Sequence, residues 1–394
     1  MAMRIKEIVL AGYRSLRSIG FPIGQLTVFV GANGVGKTNL YRALQLLQAA
    51  AAGSLARELA SEGGMQSALW AGQRTANKPA WIKLQVGLGT DAADRNSQHS
   101  FDYGVELGVA YSYEIEVGVR APTTAAFPLE PQVKEETLID RGGRRPVSVL
   151  ERRGPRATAI DNDGRKQIVE PPLLSTETAL GSLQDPGRFG DIDLVRRTML
   201  DWRFYHDFRT DRLSPLRQPC LAVTTPTLAS DGADLAAVFA TLFHIREDTT
   251  ELDRAIGDAF PGAQLVVPAP ERTASFGLIM PDYPKRVFGV GELSDGTLRY
   301  LALAGALLGY RLPAFIALNE PETSLHPELL EPLARTVARA AQRTQIWVVT
   351  HSERLAEALA ASAGVTPRTV IKRDGGTWIE GLKLFGAFED SEGE

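Results

Sequence analysis

Apolar positions along the chain fall into distinct rhythms, and each rhythm predicts an element. Residues 4–10 and 26–30 read as two strands. The second, Leu26-Thr27-Val28-Phe29-Val30, is an unbroken apolar and β-branched run of the kind buried on both faces of a parallel sheet. Leu40, Ala43, Leu44 and Leu47 then repeat at helical spacing, and an Ala/Leu-rich helix is predicted from about Thr38 to Leu59. From 81 to 120 the period falls to two. Ile82-Leu84-Val86-Leu88, Tyr103-Val105-Leu107-Val109 and Tyr113-Ile115-Val117-Val119 alternate as antiparallel strands with one packed face. Residues 121–172 are rich in Pro, Gly and Arg, with short strands at best, at 147–150 and 167–169. Helical spacing returns over 191–260. Asp234 or Ser230 is placed to cap a helix through Leu235, Val238, Phe239 and Leu242, and a further helix at 251–260 is stopped by Pro261-Gly262. Two short strand-like runs follow, near 265–267 and 276–280. After Val290 helix and strand alternate: helix 295–309, strand 314–318, helix 327–342, strand 345–349, helix 353–362, strand 368–372. No internal repeat and no sustained heptad appears, which excludes a long coiled coil.

Composition changes this picture little. The 394 residues suffice for one large or two to three ordinary domains. A net charge of −4 gives no global argument for a nucleic-acid partner and leaves room for a local basic patch. One cysteine, Cys220, forms no internal disulfide, so a reducing compartment is expected. The start lacks the apolar core of a signal peptide, and no run approaches 18 apolar residues, so a cytoplasmic protein without a membrane span is expected.

Candidate chemistry changes the picture far more. Gly31-Ala32-Asn33-Gly34-Val35-Gly36-Lys37-Thr38 fits G-x-x-x-x-G-K-[ST], with a strand before it and a helix after it. In that setting backbone N–H groups and a helix N-terminus cradle phosphates. Lys37 would reach the β- and γ-phosphates, and Thr38 would offer its hydroxyl to Mg²⁺. Binding of a nucleoside triphosphate follows. Far downstream, Phe315-Ile316-Ala317-Leu318-Asn319-Glu320-Pro321 is a short apolar strand ending in a carboxylate. Leu293-Ser294-Asp295-Gly296-Thr297 opens an Ala/Leu-rich helix, and Val348-Val349-Thr350-His351-Ser352 is a strand ending in histidine.

P-loop, Ser-x-Gly helix, strand-Glu-Pro and strand-His stand in the order of ABC-type ATPase heads. The chain resembles the RecF/SMC/OLD-like group of these ATPases, in its compact AAA-family branch. Gly12-Tyr13-Arg14-Ser15-Leu16 with the P-loop and Asn39-Leu40 resembles the group's start. Leu318-Asn319-Glu320-Pro321-Glu322-Thr323-Ser324-Leu325-His326-Pro327 resembles its Walker B and D-loop, and segments 201–205 and 230–235 also resemble this branch. The resemblance implies an α/β P-loop NTPase of ABC-ATPase type: a parallel core sheet, an antiparallel β meander and a helical second lobe. Residues 1–75 and 286–394 would form the two halves of the nucleotide-binding lobe. Residues 76–190 would be the antiparallel region with its basic loop, and 191–285 the helical lobe. It further implies ATP and Mg²⁺ as ligands and an ATP-dependent homodimer. Asn33, Gly34, Val35, Gly36, Lys37, Thr38 and Asn39 of one subunit would bind nucleotide, with Arg14 in contact. Ser294 and Gly296 of the other subunit would close on the γ-phosphate. Glu320 would polarise the attacking water and His351 would meet the γ-phosphate. DNA, or an effector or nuclease protein, is the implied partner, in repair, recombination or defence. The short stretch after the His351 strand leaves little room for the Toprim nuclease domain of full OLD proteins.

Two positions depart from the group's pattern. Asn319 stands where aspartate is usual, so the Mg²⁺ site receives a carbonyl without a charge. That favours slower hydrolysis, and with it an alternative role as an ATP-sensing switch on a partner protein. His326 replaces the usual D-loop aspartate. Gln184, Gln73 and Gln66 compete for the Gln-loop, with Gln184 preferred because it precedes the helical region. Ser294 and Gly296 also read as a plain helix cap. The Arg-rich segment 141–166 carries no aromatic residues for stacking and reads better as a solvated mixed-charge loop than as a phosphate track. His206, Asp207 and Asp211 match no metal-ligand spacing. The acidic end, 389–394, reads as a frayed tail.

Overall fold

The computed structural model describes residues 3–72, 81–90, 108–119, 127, 130–383 and 386–388. Strands β1 (Arg4–Tyr13) and β2 (Leu16–Pro22) form a hairpin whose turn places Arg14 at φ 47°, and β3 (Leu26–Val30) leads into the P-loop. Helix α1 (Lys37–Ala52) follows. The predicted continuous helix to Leu59 is broken at Gly53, whose left-handed φ of 76° lets its N–H close on Ala49 and Ala50 carbonyls. Beyond it lie α2 (Leu55–Ser61) and α3 (Gly64–Ala68). Next come β4 (Trp81–Gly89), β5 (Tyr111–Val119), β6 (Pro131–Asp140), β7 (Val147–Arg153), β8 (Arg156–Ile160) and β9 (Lys166–Ile168). Helices α4 (Ala179–Ser182) and α5 (Gly190–Leu200), strand β10 (Arg203–Tyr205) and strand β11 (Cys220–Leu221) lead to α6 (Leu235–Thr241) and its π-helical extension, then α7 (Thr250–Ala259). Four short strands, β12 (Gln264–Val266), β13 (Thr273–Ala274), β14 (Gly277–Ile279) and β15 (Val287–Gly289), precede the final alternation. That runs α8 (Asp295–Leu308), β16 (Phe315–Asn319), α9 (Leu330–Ala340), β17 (Gln345–Thr350), α10 (Glu353–Ala363), β18 (Arg368–Arg373) and β19 (Gly376–Ile379).

Two compact units divide these elements. The first comprises 1–24, 32–202 and 369–394, the second 25–31 and 203–368, so the chain passes between them repeatedly and cuts across the four sequence segments. The first unit is built on an eight-stranded antiparallel sheet in the order β2-β1-β4-β5-β6-β7-β8-β9. The meander is longer than the pattern over 121–172 suggests, and the reading of 141–166 as a solvated loop is corrected: half of it lies in strands of the ladder β7-β8-β9. Two buried charges hid the period. Glu136 and Arg152 are each 1 % exposed on β6 and β7, and a bulge at Leu138/Ile139 shifts the register. Glu136 accepts the Ala179 and Leu180 amides and the Tyr113 hydroxyl, and Arg152 donates to the carbonyls of Gly154, Leu174 and Glu177. Buried charges are tolerated when so fully partnered. The alternating strand at 103–107 lies outside the described residues, as do Gln73 and the acidic end.

The second unit holds the parallel ladder β10-β16-β17-β3. Every residue of β16 and β17 is buried, as the unbroken apolar runs required, and Trp347 packs on Phe29 at 4.5 Å between ring centroids. Strand β10 lies within the stretch read as helical; three residues are too few to show a period, and only pairing with β16 defines it. Leu235, Phe239, Leu252 and Ile256 of α6 and α7 join Val28, Ile316, Val348 and Leu333 in one hydrophobic cluster.

Candidate active site

The P-loop leaves β3 at the carboxyl edge of the parallel ladder, where Val30 pairs with Thr350 and Asn319 with Val349. Such an edge is where open α/β sheets bind ligands. In the first unit, Gly34 and Gly36 take φ of 78° and 100°, conformations that favour glycine. A Cβ on Gly36 would also lie 1.9 Å from Thr377 Oγ1, so only glycine fits. Lys37 is 3 % exposed and donates to the Ala32 carbonyl at 2.8 Å, curling the loop around its own side chain.

A chain of hydrogen bonds holds the loop. Asn39 Nδ2 donates to Ser15 Oγ at 2.6 Å, Ser15 Oγ and Thr377 Oγ1 lie 2.6 Å apart, and Thr377 donates to the Val35 carbonyl at 2.7 Å. Since the Thr377 hydrogen goes to Val35, the Ser15 hydroxyl must supply the middle bond. Every member then donates in one direction, an arrangement that strengthens each bond. Arg14, at the turn, forms a 2.8 Å ion pair with Glu62, which also accepts the Tyr13 hydroxyl.

In the second unit β16 delivers Asn319, 1 % exposed, and then Glu320 at φ 49°, anchored by its amide on the Val349 carbonyl at 2.7 Å. A non-glycine residue there is uncommon and marks imposed backbone strain. Asn319 Nδ2 contacts His206 Nδ1 at 2.6 Å, while its Oδ1 is buried without a partner. His351 ends β17 with Nδ1 3.9 Å from Glu320 Oε2 and 3.1 Å from Glu322 Oε1. At the Ser-x-Gly turn, Ser294 caps α8 by accepting the Thr297 amide, and Gly296 lies so close to the Ser324 carbonyl that a Cβ would meet it at 2.9 Å. Arg217 spreads over the approach to this cap. It donates to Thr210, Val290, Gly291 and Leu293 carbonyls and pairs with Asp295 at 2.6 Å.

Residues 26–357 match the family described as "AAA domain, putative AbiEii toxin, Type IV TA system". The chain belongs to this family. No curated protein sequence matches it. Among solved structures, an SMC head bound to the C-winged helix domain of ScpA is similar over 99 % of both chains, with TM-score 0.51 and 14 % identity. The Smc head domain of Pyrococcus furiosus, with an extended coiled coil and bound to the C-terminal domain of ScpA, is similar over 96 % of both chains, with TM-score 0.50 and 13 % identity. At such identities the likeness is one of fold. The AAA-family chain therefore has the P-loop NTPase fold of ABC-type, SMC-like heads.

Within this AAA-family fold, the second unit brings Asn319, Glu320 and His351 to the ends of neighbouring strands, and Ser294 and Gly296 to the start of α8. Lys37 and its P-loop neighbours are assembled in the first unit. His326, at the D-loop position, acts as a cap: its Nδ1 accepts the Glu328 amide at 3.4 Å and starts a 3-10 turn ahead of α9, where the sequence predicted helix directly. Gln184 turns back onto the Gly181 carbonyl and Gln66 is exposed on α3. Asp234 accepts the Ala229 amide and caps no helical N–H. Glu322, Arg217, Thr377 and Ser15 received no role of their own from the sequence, and His206 was weighed there only as a metal ligand. Only Glu322 carried a signal, as the second carboxylate of Glu320-Pro321-Glu322. Among the described residues no cluster of His, Cys, Asp and Glu is suited to hold a metal, and no helix is long and apolar enough to cross a membrane.

Proposed function

We propose that this chain binds ATP with Mg²⁺, hydrolyses it, and closes into a homodimer while ATP is bound. The observation that carries the reading is Glu320: a carboxylate held at a strained φ at the carboxyl edge of a buried parallel ladder, beside His351. Strain concentrates where function requires it. Lys37 and the P-loop amides bind the phosphates, and Glu320 accepts a proton from the attacking water. Ser294 and Gly296 meet the nucleotide of the second subunit. Thr38 and Asn319 would each offer an oxygen to Mg²⁺, which would supply positive charge against the phosphates. The unpartnered buried Oδ1 of Asn319 fits that duty, since a buried acceptor is costly to leave unmade.

DNA repair, recombination or defence is the proposed setting. The toxin–antitoxin description of the family favours defence among these. A second reading rests on Asn319, whose neutral amide gives the cation less charge than a carboxylate. Turnover would then be slow, and the protein would act as an ATP-sensing switch on a partner protein, as ScpA sits on the SMC heads of similar fold. Steady-state ATP turnover with and without linear double-stranded DNA separates the two. Stimulation by DNA supports the first; binding with negligible turnover supports the second. Glu320→Gln should keep ATP affinity, lower turnover by about 100-fold and trap a dimer in light scattering; an unchanged rate removes Glu320 from the chemistry. Lys37→Ala should weaken ATP binding itself, and normal affinity would refute the P-loop assignment.

A further inference from the structure

Strand β10 pairs with β16, Tyr205 opposite Leu318, so His206, the next residue, comes beside Asn319, the last of β16. Three bonds fix this end of β10. The Tyr205 hydroxyl donates to the Leu228 carbonyl at 2.8 Å. Arg299 of α8, its side chain only 6 % exposed, donates to the His206 carbonyl and to Asp207 Oδ1, each at 3.3 Å. The imidazole thus projects from a held backbone. Asn319 is buried, and its Nδ2 is hydrogen-bonded to His206 Nδ1 at 2.6 Å. An amide nitrogen donates and does not accept, so the ring nitrogen is the acceptor and carries no hydrogen of its own. The ring hydrogen is then on Nε2. At the other end of the amide, Oδ1 is buried with no hydrogen-bond partner.

We infer that His206 is a positioning residue: by accepting from Nδ2 it fixes the rotation of the Asn319 amide and leaves Oδ1 for a cation. The inference deepens the reading of Asn319 as a Mg²⁺ ligand and rests on it. The two ends of an amide are nearly equal in size, so shape alone does not tell them apart. Turned over, the amide would set its oxygen against a bare Nδ1, two acceptors face to face. Its NH₂ group would then take the place of the oxygen that a hard cation requires. The pair also accounts for the departure at 319. An aspartate has no donor to give Nδ1, whereas asparagine meets a ring nitrogen that is free to accept. Since the oxygen it offers carries no full charge, its aim is what it contributes, and His206 sets that aim.

The first test reads the hydrogen bond itself, in full-length protein without nucleotide or Mg²⁺. With asparagine and histidine labelled with nitrogen-15, an N–H···N bond gives a nitrogen–nitrogen coupling. It is expected between Asn319 Nδ2 and His206 Nδ1, and it should vanish in His206→Leu. A hydrogen found on Nδ1, with no coupling, overturns the inference, because the amide would then show its oxygen to the ring. The second test is the gain in ATP affinity on adding Mg²⁺, by isothermal titration. His206→Leu should cut that gain by about tenfold, the usual effect of losing a group that orients a metal ligand. His206→Asn, whose Oδ1 takes the place of Nδ1, should restore it. A loss that is equal with and without Mg²⁺ would make the ring a structural prop and overturn the inference. Because the coupling is read without nucleotide, a wild type whose ATP affinity ignores Mg²⁺ would sink the metal reading of Asn319 and leave the amide's orientation standing.

Discussion

Thr377 shows how a residue far from any motif can govern one. Its hydroxyl stands between Ser15 and the Val35 carbonyl, so the P-loop is held from a strand that begins 339 positions after Lys37 in the numbering of the chain. Thr377→Val keeps the β-branched shape of β19 and removes both bonds. Each is worth about 1 kcal/mol net, and a P-loop freed by roughly 1.4 kcal/mol should bind ATP about tenfold more weakly. Thr377→Ser should restore affinity. Isothermal titration checks both, and wild-type affinity in Thr377→Val would reduce the threonine to strand packing. Lys37, Glu320 and His351 were legible because each is announced locally, by a glycine loop or by a strand that stops at a polar residue. Thr377, Ser15 and Arg217 were not, since a lone polar side chain acquires its role only from partners distant in sequence.

Elements, too, were legible to different degrees for physical reasons. The strands β3, β16 and β17 declared themselves by apolar runs because both their faces are buried. Strand β6 did not, and β7 showed only as far as Leu150, because Glu136 and Arg152 occupy inward positions and break the alternation. Gly53 divides a helix that propensity alone would have continued. The Ser294 turn is a third case. Its sequence reads as a cap, yet the residues before the cap are fixed by Arg217, whose guanidinium reaches three of their carbonyls and Asp295 at once. A lysine has no planar fork and satisfies one or two of these at most. Arg217→Lys should therefore speed amide hydrogen exchange across 290–297 by about tenfold, equivalent to roughly 1.4 kcal/mol of local protection. The core of α8 should stay protected. Unchanged exchange across 290–297 would show that the turn is held by Ser294 alone.

At the scale of the whole molecule, linear reading fails for a simple reason: each compact unit is assembled from separated stretches, so no boundary in the sequence marks where one ends. Stability against pH is a property at this scale that one residue makes predictable. Glu7 lies on β1 in the first unit, 4 % exposed, with Oε1 lacking a hydrogen bond. Burial pushes its carboxyl from 4.5 up to about 7, against a partial lowering by Arg141. Between these values the folded chain holds a proton that the unfolded chain has lost, so stability falls as pH rises through the window and levels off above it. Each tenfold gain in proton affinity on folding is worth about 1.36 kcal/mol, so the whole effect is about 3 kcal/mol. Glu7→Gln is a neutral isostere and removes the dependence. The variant should match wild type near pH 4.5 and exceed it by up to about 3 kcal/mol at pH 8, read from urea midpoints of meander peptides followed by hydrogen exchange. A constant difference across that range would mean that Glu7 keeps its charge in the fold. In that case a cation must neutralise it more fully than Arg141 does, and the pH dependence of the molecule must originate elsewhere.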